Sequence, residues 1–196
     1  GDAKKIETFC SDLSPAFIQG VEAQFPHAAH VFDKFHVMKL LNSALDEVRR
    51  QEQKERPELK KSRYVWLKNE QNLTYKQKEQ LVRLKDLDLK TGKAYRMKQL
   101  FQEFWTKPAI VADLYLDEWL NWAARSRVQP MIDAAKTIKR HQEGILQWFL
   151  TKVSNGLLEG INSLVQAAKN KARGYRTINN FIAMVYMIAG KLDLKG

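Results

Sequence analysis

Ile6-Glu7-Thr8-Phe9-Cys10-Ser11-Asp12-Leu13-Ser14-Pro15-Ala16-Phe17-Ile18 decides the fold class, because its character changes abruptly partway along. Ile6–Cys10 is short and partly β-favouring, and it stops at Ser11-Asp12. Ser14 then suits a helix N-cap and Pro15 the first helical position. Phe17, Ile18, Val21 and Phe25 follow at helical spacing until Pro26 closes the run. His30-Val31-Phe32 is a second short apolar β segment, closed by Asp33. Strand, helix and strand within about 30 residues make a βαβ unit, whose two strands are expected to be parallel with a right-handed crossover.

Downstream of Asp33 no further strand is expected. Phe35 to about Arg56 reads as one long amphipathic helix carrying Val37, Leu40, Leu41, Ala44, Leu45 and Val48, and the charged stretch Gln51–Lys61 marks its exit. Further helices are expected at 74–87, 91–106, 109–126 and 129–152, separated by Pro108, Pro130 and polar joints. The last two are Asn155–Ala172 and Ile178–Leu192, joined by Arg173-Gly174-Tyr175-Arg176. Trp66, Phe101, Phe104, Trp105, Trp119, Trp122, Trp148 and Phe149 read as core rather than as base-stacking surface. The fold class is therefore α/β, mostly helical. Parallel strands are normally buried on both faces of a larger sheet, so further strands are expected N-terminal to Gly1, and the chain reads as part of a larger protein. By the same logic Ile6–Cys10 should present an open edge that invites pairing with another chain.

Composition narrows the function. The 196 residues suffice for one sizeable domain or a small α/β unit carrying a helical lobe. With 44% hydrophobic and 28% charged residues, disorder is excluded. No apolar run reaches the roughly 20 residues of a membrane span, and no signal peptide is legible. Cys10 is the single cysteine, so an internal disulfide is excluded and a reducing cytoplasm is the natural compartment. The four histidines lack ligand spacing, which argues against a Cys/His metal centre. The net charge of +11 suits a polyanion, nucleic acid first and an anionic membrane surface second, although a generic basic protein fits it equally well.

Three places could carry chemistry. Asp12 follows the first strand at the sheet edge where ligands collect in open α/β folds, and it would equally serve as a turn former ahead of Ser14-Pro15. Asp33-Lys34-Phe35-His36 sits at the matching end of the second strand, where Asp33 suits an N-cap and His36 could orient a carboxylate. Asn155-Gly156-Leu157-Leu158-Glu159-Gly160-Ile161-Asn162 sets a glutamate between two glycines among residues that otherwise read as buried, Leu157, Leu158, Ile161 and Leu164. Asn155, Glu159, Asn162, Gln166 and Lys169 recur at helical spacing as one polar stripe, which runs into Lys171, Arg173 and Arg176. The stripe fits a metal-holding carboxylate with a phosphate-neutralising end, and it fits an ordinary solvated helix face. Two-metal phosphodiester chemistry needs carboxylates from separate parts of a chain, and an aspartate at a strand end with a glutamate on a late helix is a workable pair.

At these residues the sequence resembles a known family. Ser11-Asp12-Leu13-Ser14-Pro15-Ala16-Phe17, Phe25-Pro26, Val31-Phe32-Asp33-Lys34-Phe35-His36-Val37, Tyr64-Val65-Trp66-Leu67-Lys68-Asn69, Lys136-Thr137-Ile138-Lys139-Arg140-His141, Asn155–Ser163 and Lys171–Tyr175 look like the ISL-three family of bacterial insertion-sequence transposases, in the family's order and over nearly the whole chain. The resemblance implies an RNase H-like fold with a DDE active site. Asp12 would be the second catalytic aspartate and Glu159 the final glutamate, both holding metal, with Mg²⁺ or Mn²⁺ as two ions in the complete site. Asp33, His36, Asn155 and Asn162 would support them, and Lys169, Lys171, Arg173 and Arg176 would bind DNA. The implied division is 1–36 as a partial RNase H-like βαβ unit, 37–152 as a helical insertion, and 153–196 as the glutamate helix with its packing helix. The first aspartate, together with zinc-finger and helix-turn-helix segments, is expected upstream of residue 1, so the isolated chain is expected to be inactive. The implied partners are double-stranded DNA, as transposon ends and target, and further copies of the full-length protein, with no membrane. The rival reading is a non-catalytic basic helical protein that binds nucleic acid or a partner.

Overall fold

The computed structural model describes residues 5–153, 156–172 and 177–189, with the side chains at 156–159, 161, 162, 188 and 189 outside that description. The chain forms two compact units, residues 1–153 and 154–196. The first opens with β1 (Thr8–Ser11), α1 (Pro15–Gln24) and β2 (Ala29–Phe32). The strands are parallel, with Thr8 opposite Ala29 and Ser11 opposite Phe32. A parallel βαβ unit is thus present as read, and among the described residues each strand has one unpaired edge. Ser14 occupies the N-cap of α1 but gives no side-chain cap. Asp12 does that work from two residues upstream, its Oδ1 accepting a hydrogen bond from the Ser14 N–H at 2.9 Å.

Helix α2 (Lys34–Glu52) begins directly at the end of β2. Asp33 is its N-cap, the carboxylate accepting from the Phe35 N–H at 2.8 Å. Val37, Leu41, Ala44, Leu45 and Val48 form the buried stripe. Against α2 pack α3 (Arg63–Leu67), α5 (Lys90–Phe104) and α7 (Gln129–Arg140). At its far end Glu52 caps a helix remote in sequence: its carboxylate accepts from the Lys90 and Thr91 N–H groups, both at 2.8 Å, and from the Thr91 hydroxyl at 2.7 Å. Leu89, the N-cap residue of α5, cannot supply an acceptor, so a carboxylate at the positive end of the helix dipole takes that place. A capping box of Thr74 and Gln77 starts α4 (Tyr75–Lys85).

The aromatic residues are core. Phe101 meets Trp119 at 4.7 Å between ring centroids, Phe104 meets Phe149 at 4.9 Å, and Trp105 meets Trp148 at 5.2 Å. These pairs bind α5 to α6 (Ala109–Ala124) and to α8 (Gln142–Thr151). Trp122 and Trp148 are only partly buried against this core. Lys98 is wholly buried beside it, donating to the carbonyls of Trp66 at 3.2 Å and Leu67 at 2.8 Å, and burial pushes its ammonium down to about 8.

Two departures from the sequence reading concern helices. The five-residue α3 lies between the charged stretch 51–61 and the helix expected at 74–87, where no helix was expected; it is too short to show a period, and the burial of Val65 and Trp66 holds it. The single helix expected over 129–152 is two helices, α7 and α8, broken at His141 (φ −110°, ψ 20°). The break turns α8 onto the sheet. There Gly144 lies so near β2 that a Cβ would stand 2.5 Å from Phe32 Cδ2 and 2.9 Å from the His30 carbonyl oxygen. The strand pair and the helical region therefore share one core.

The second unit pairs α9 (Gly156–Lys171) with α10 (Ile178–Ala189). Val165 is buried in it, whereas Leu164, read as buried, is exposed, because a two-helix unit covers only one face of α9. Among the described residues no helix is long and apolar enough to cross a membrane.

Gly144→Ala is expected to destabilise the chain by about 1–3 kcal/mol, since backbone as well as a ring must shift. Gly20→Ala, in α1 with no atom within 4 Å of the added Cβ, should stabilise it by about 0.5–1 kcal/mol. Urea unfolding of both variants measures the contrast.

Candidate active-site edge

The register carries Asp12 and Asp33 to the same place. Each is the first residue after its strand, and Ser11 opposite Phe32 is the last pair, so both aspartates leave the sheet at its carboxyl edge from adjacent strands about 4.8 Å apart. The Asp33 N–H donates to the Ser11 carbonyl at 3.0 Å, which continues the ladder to that edge. Asp12 is half-buried; one carboxylate oxygen serves the Ser14 N–H, and the other has no hydrogen-bond partner among the described residues. Asp33 is 3% exposed and its Oδ1 is occupied by the α2 cap. His36 Nδ1 lies 3.4 Å from that oxygen, a close polar contact that lacks hydrogen-bond alignment. Asp33 is thus structurally engaged, and Asp12 is the more available hard-oxygen donor. Such oxygens suit Mg²⁺ or Mn²⁺.

Two residues given no role in the sequence reading support this edge. The Ser11 hydroxyl donates to the Asp12 carbonyl at 2.8 Å and bonds His30 Nε2 at 2.6 Å. His30 is the diagonal neighbour of Ser11 on one sheet face, a relation visible only once the register is known. The His30 ring packs 4.6 Å from Phe32, and Phe32 packs 4.9 Å from His141. These rings border an open groove of about 920 Å³ lined also by Glu22, Asp113 and Arg140. Burial holds the His30 imidazole below its usual pKa, with Glu22 partly opposing. His141 is lowered by burial first, then by the positive charges of Arg140 and His30. Cys10, free and half-buried, is pushed up to about 11 by burial and then by Asp33, so it is not a reactive thiol.

Glu159 lies in the first turn of α9, in the second unit, and its side chain is outside the described residues, as are those of Asn155 and Asn162. The helical backbone sets positions 159, 162, 166 and 169 on one face. Lys169 and Lys171 are exposed, Lys169 Nζ lying 5.9 Å from the Phe181 ring centroid, while Arg173 and Arg176 lie outside the described residues. Among the described residues no three His, Cys, Asp or Glu side chains gather as a ligand set.

The chain is basic and mostly helical, with two aspartates side by side at the carboxyl edge of a parallel strand pair, and the comparisons supply its family. The family model for ISL3-type DDE transposases, described as "Transposase", matches residues 1–185. The chain belongs to this family. Over 195 residues it is 27% identical to the transposase for insertion sequence element IS1001 of Bordetella parapertussis, covering 94% of this chain and 48% of that protein. It is 25% identical over 213 residues to the transposase for insertion sequence element IS1557 of Mycobacterium tuberculosis, again 94% of this chain and 48% of the relative. The chain therefore spans about half the length of the curated relatives it matches. No solved structure matches it.

Both lowered histidines bind fewer protons folded than unfolded in the range below their ordinary pKa of 6.5, so the stability they contribute is complete above that value and is lost as pH falls through their folded pKa values. Between pH 7.5 and 5 the urea midpoint of the wild type is expected to fall further than that of the His30→Gln/His141→Gln double variant. Equal slopes in the two proteins would refute the assignment.

Proposed function

We propose that this transposase-family chain supplies two carboxylates of a DDE site, Asp12 from the sheet edge and Glu159 from α9. The observation that carries the reading is the Asp12 oxygen left without a hydrogen-bond partner among the described residues, at the carboxyl end of β1 in a family of transposases. Asp12 and Glu159 hold divalent metal, Mg²⁺ or Mn²⁺, as two ions in the complete site. When bound, these ions activate the attacking oxygen and stabilise the leaving oxygen of the phosphodiester. The protein's part is placement. Asp33 fixes the start of α2, His36 lies against its carboxylate, and Ser11 with His30 holds the Asp12 peptide in position. Asn155 and Asn162 support Glu159 in this reading. Lys169, Lys171, Arg173 and Arg176 grip the phosphate backbone, giving affinity without base reading.

In the full-length protein the reaction is hydrolysis at transposon ends followed by attack of the freed 3′-OH on target DNA, within a homo-oligomer acting on double-stranded DNA. Residues 1–36 form the RNase H-like portion, 37–152 a helical insertion and 153–196 the glutamate helix with its partner. No residue of this chain is assigned as the first aspartate, so the chain alone does not cut DNA, and the outer edge of β1 is where another strand pairs.

In the full-length protein Asp12→Asn and Glu159→Gln should each lower transposition by about 100-fold or more, the scale of losing one preorganised electrostatic stabiliser, with DNA affinity kept within about twofold. Wild-type transposition by either variant would remove that residue from the site. A metal-dependent nick by the isolated chain, abolished by Glu159→Gln, would show the carboxylate set to be incomplete.

A further inference from the structure

Far from the sheet edge, near the other end of α2, one carboxylate is surrounded by three guanidinium groups. Asp46 has a side chain 12% exposed, and Arg49 at 9% exposed satisfies it closely, with Nη2 at 2.8 Å and Nε donating at 2.9 Å to Oδ1. That pair is enough to balance a buried charge. Arg50 and Arg63 nevertheless converge on the second oxygen, with Nε at 3.7 Å and 3.4 Å from Oδ2. Their side chains remain 66% and 55% exposed, so both guanidiniums are drawn toward one carboxylate while keeping donors available to solvent. The cluster of four side chains carries a net charge of +2.

The loop that delivers Arg63 is held firmly from beneath. Leu59, Ser62 and Trp66 are fully buried. The Ser62 hydroxyl donates to the Leu59 carbonyl at 2.6 Å and accepts from Trp66 Nε1 at 3.1 Å. Lys98 secures the end of α3 through the Trp66 and Leu67 carbonyls. Between these anchors Lys61 adopts a left-handed backbone, φ 59°, which a non-glycine residue holds only where its surroundings dictate it. The loop thus presents Lys60 and Lys61, both exposed, immediately before Arg63. Of the acids in this stretch, Glu52 caps α5, Glu58 faces Arg56 and Glu47 accepts from Gln51, while Glu55 is exposed.

We propose that Arg50 and Arg63, aligned by Asp46 and flanked by Lys60 and Lys61, form a second phosphate-contacting site for duplex DNA, on the first unit and independent of the basic end of α9. Planar guanidiniums gathered beside one carboxylate present bidentate donors suited to phosphate oxygens, and a net-cationic cluster with spare donors fits a repeating phosphodiester backbone rather than a single carboxylate. The proposal rests on the transposase reading only in taking DNA as the substrate.

Anisotropy of a labelled DNA duplex, titrated with the chain over a series of salt concentrations, tests it. Arg63→Gln should reduce the slope of log Kd against log salt by about 0.9, and Arg50→Gln/Arg63→Gln by about 1.8. Thermal unfolding should be nearly unchanged in the single variant, because the Asp46–Arg49 pair stays intact. Lys78→Gln/Arg83→Gln removes the same charge from exposed positions of α4 and should leave the slope at the wild-type value. A wild-type slope in the Arg50/Arg63 double variant, an equal loss in the α4 control, or no duplex binding by the wild-type chain would each overturn the site. None of these outcomes touches the carboxylate assignment, which is read by transposition of Asp12→Asn and Glu159→Gln.

Discussion

Two parallel strands cannot bury both of their faces by themselves, and here the deficit is met largely by one close approach. Gly144 lets the backbone of α8 come down onto the Phe32 ring and the His30 carbonyl, at a separation no side chain would permit. The break at His141 exists to aim the helix at that point, and the rings of His30, Phe32 and His141 close over the contact. Since Asp33 follows Phe32 and caps α2, fixing Phe32 also fixes the origin of the helix around which α3, α5 and α7 pack. The position of the aspartate edge is thereby tied to the aromatic core, even though no aromatic residue belongs to the proposed chemistry.

The first 52 residues were legible because their signals are local. Pro15 and Pro26 bracket α1, Asp33 announces α2, and Val37, Leu41, Leu45 and Val48 keep a single helical face. What escaped was decided by contacts distant in sequence. Nothing near residue 141 reports that Phe32 waits for Gly144, nothing near Leu89 reports that Glu52 caps its helix, and Lys98 carries no sign that it will be buried against α3 carbonyls. The same division holds at the candidate site. Asp12 and Asp33 could be found from strand ends alone, whereas the Ser11–His30 bond depends on a register that only the folded pair defines. Glu159 rests on its unusual glycine-flanked setting and on family resemblance, as the stripe of α9 by itself fits a solvated face equally well.

Charge in this protein is organised rather than merely abundant. Carboxylates with structural duties are fully employed: Asp33 and Glu52 at helix starts, and Asp46 against Arg49. Buried Lys98 is likewise a scaffold group, its ammonium held by carbonyls, and its low pKa reflects desolvation rather than catalysis. With these set aside, two features of the first unit are not exhausted by structural work, the Asp12 oxygen at the sheet edge and the outward forks of Arg50 and Arg63.

These two features are joined by α2, which starts at the sheet edge and carries Arg50 in its last turn. A straight helix is a ruler: at 1.5 Å per residue, the stretch from Lys34 to Arg50 spans about 24 Å. Along the axis of a B-form duplex, which rises about 3.4 Å per nucleotide of each strand, that length corresponds to roughly seven nucleotides. If both proposed sites contact DNA, the helix would set a footprint in addition to a fold. A strand held at both ends of α2 would be gripped about seven nucleotides from the sheet edge that carries Asp12.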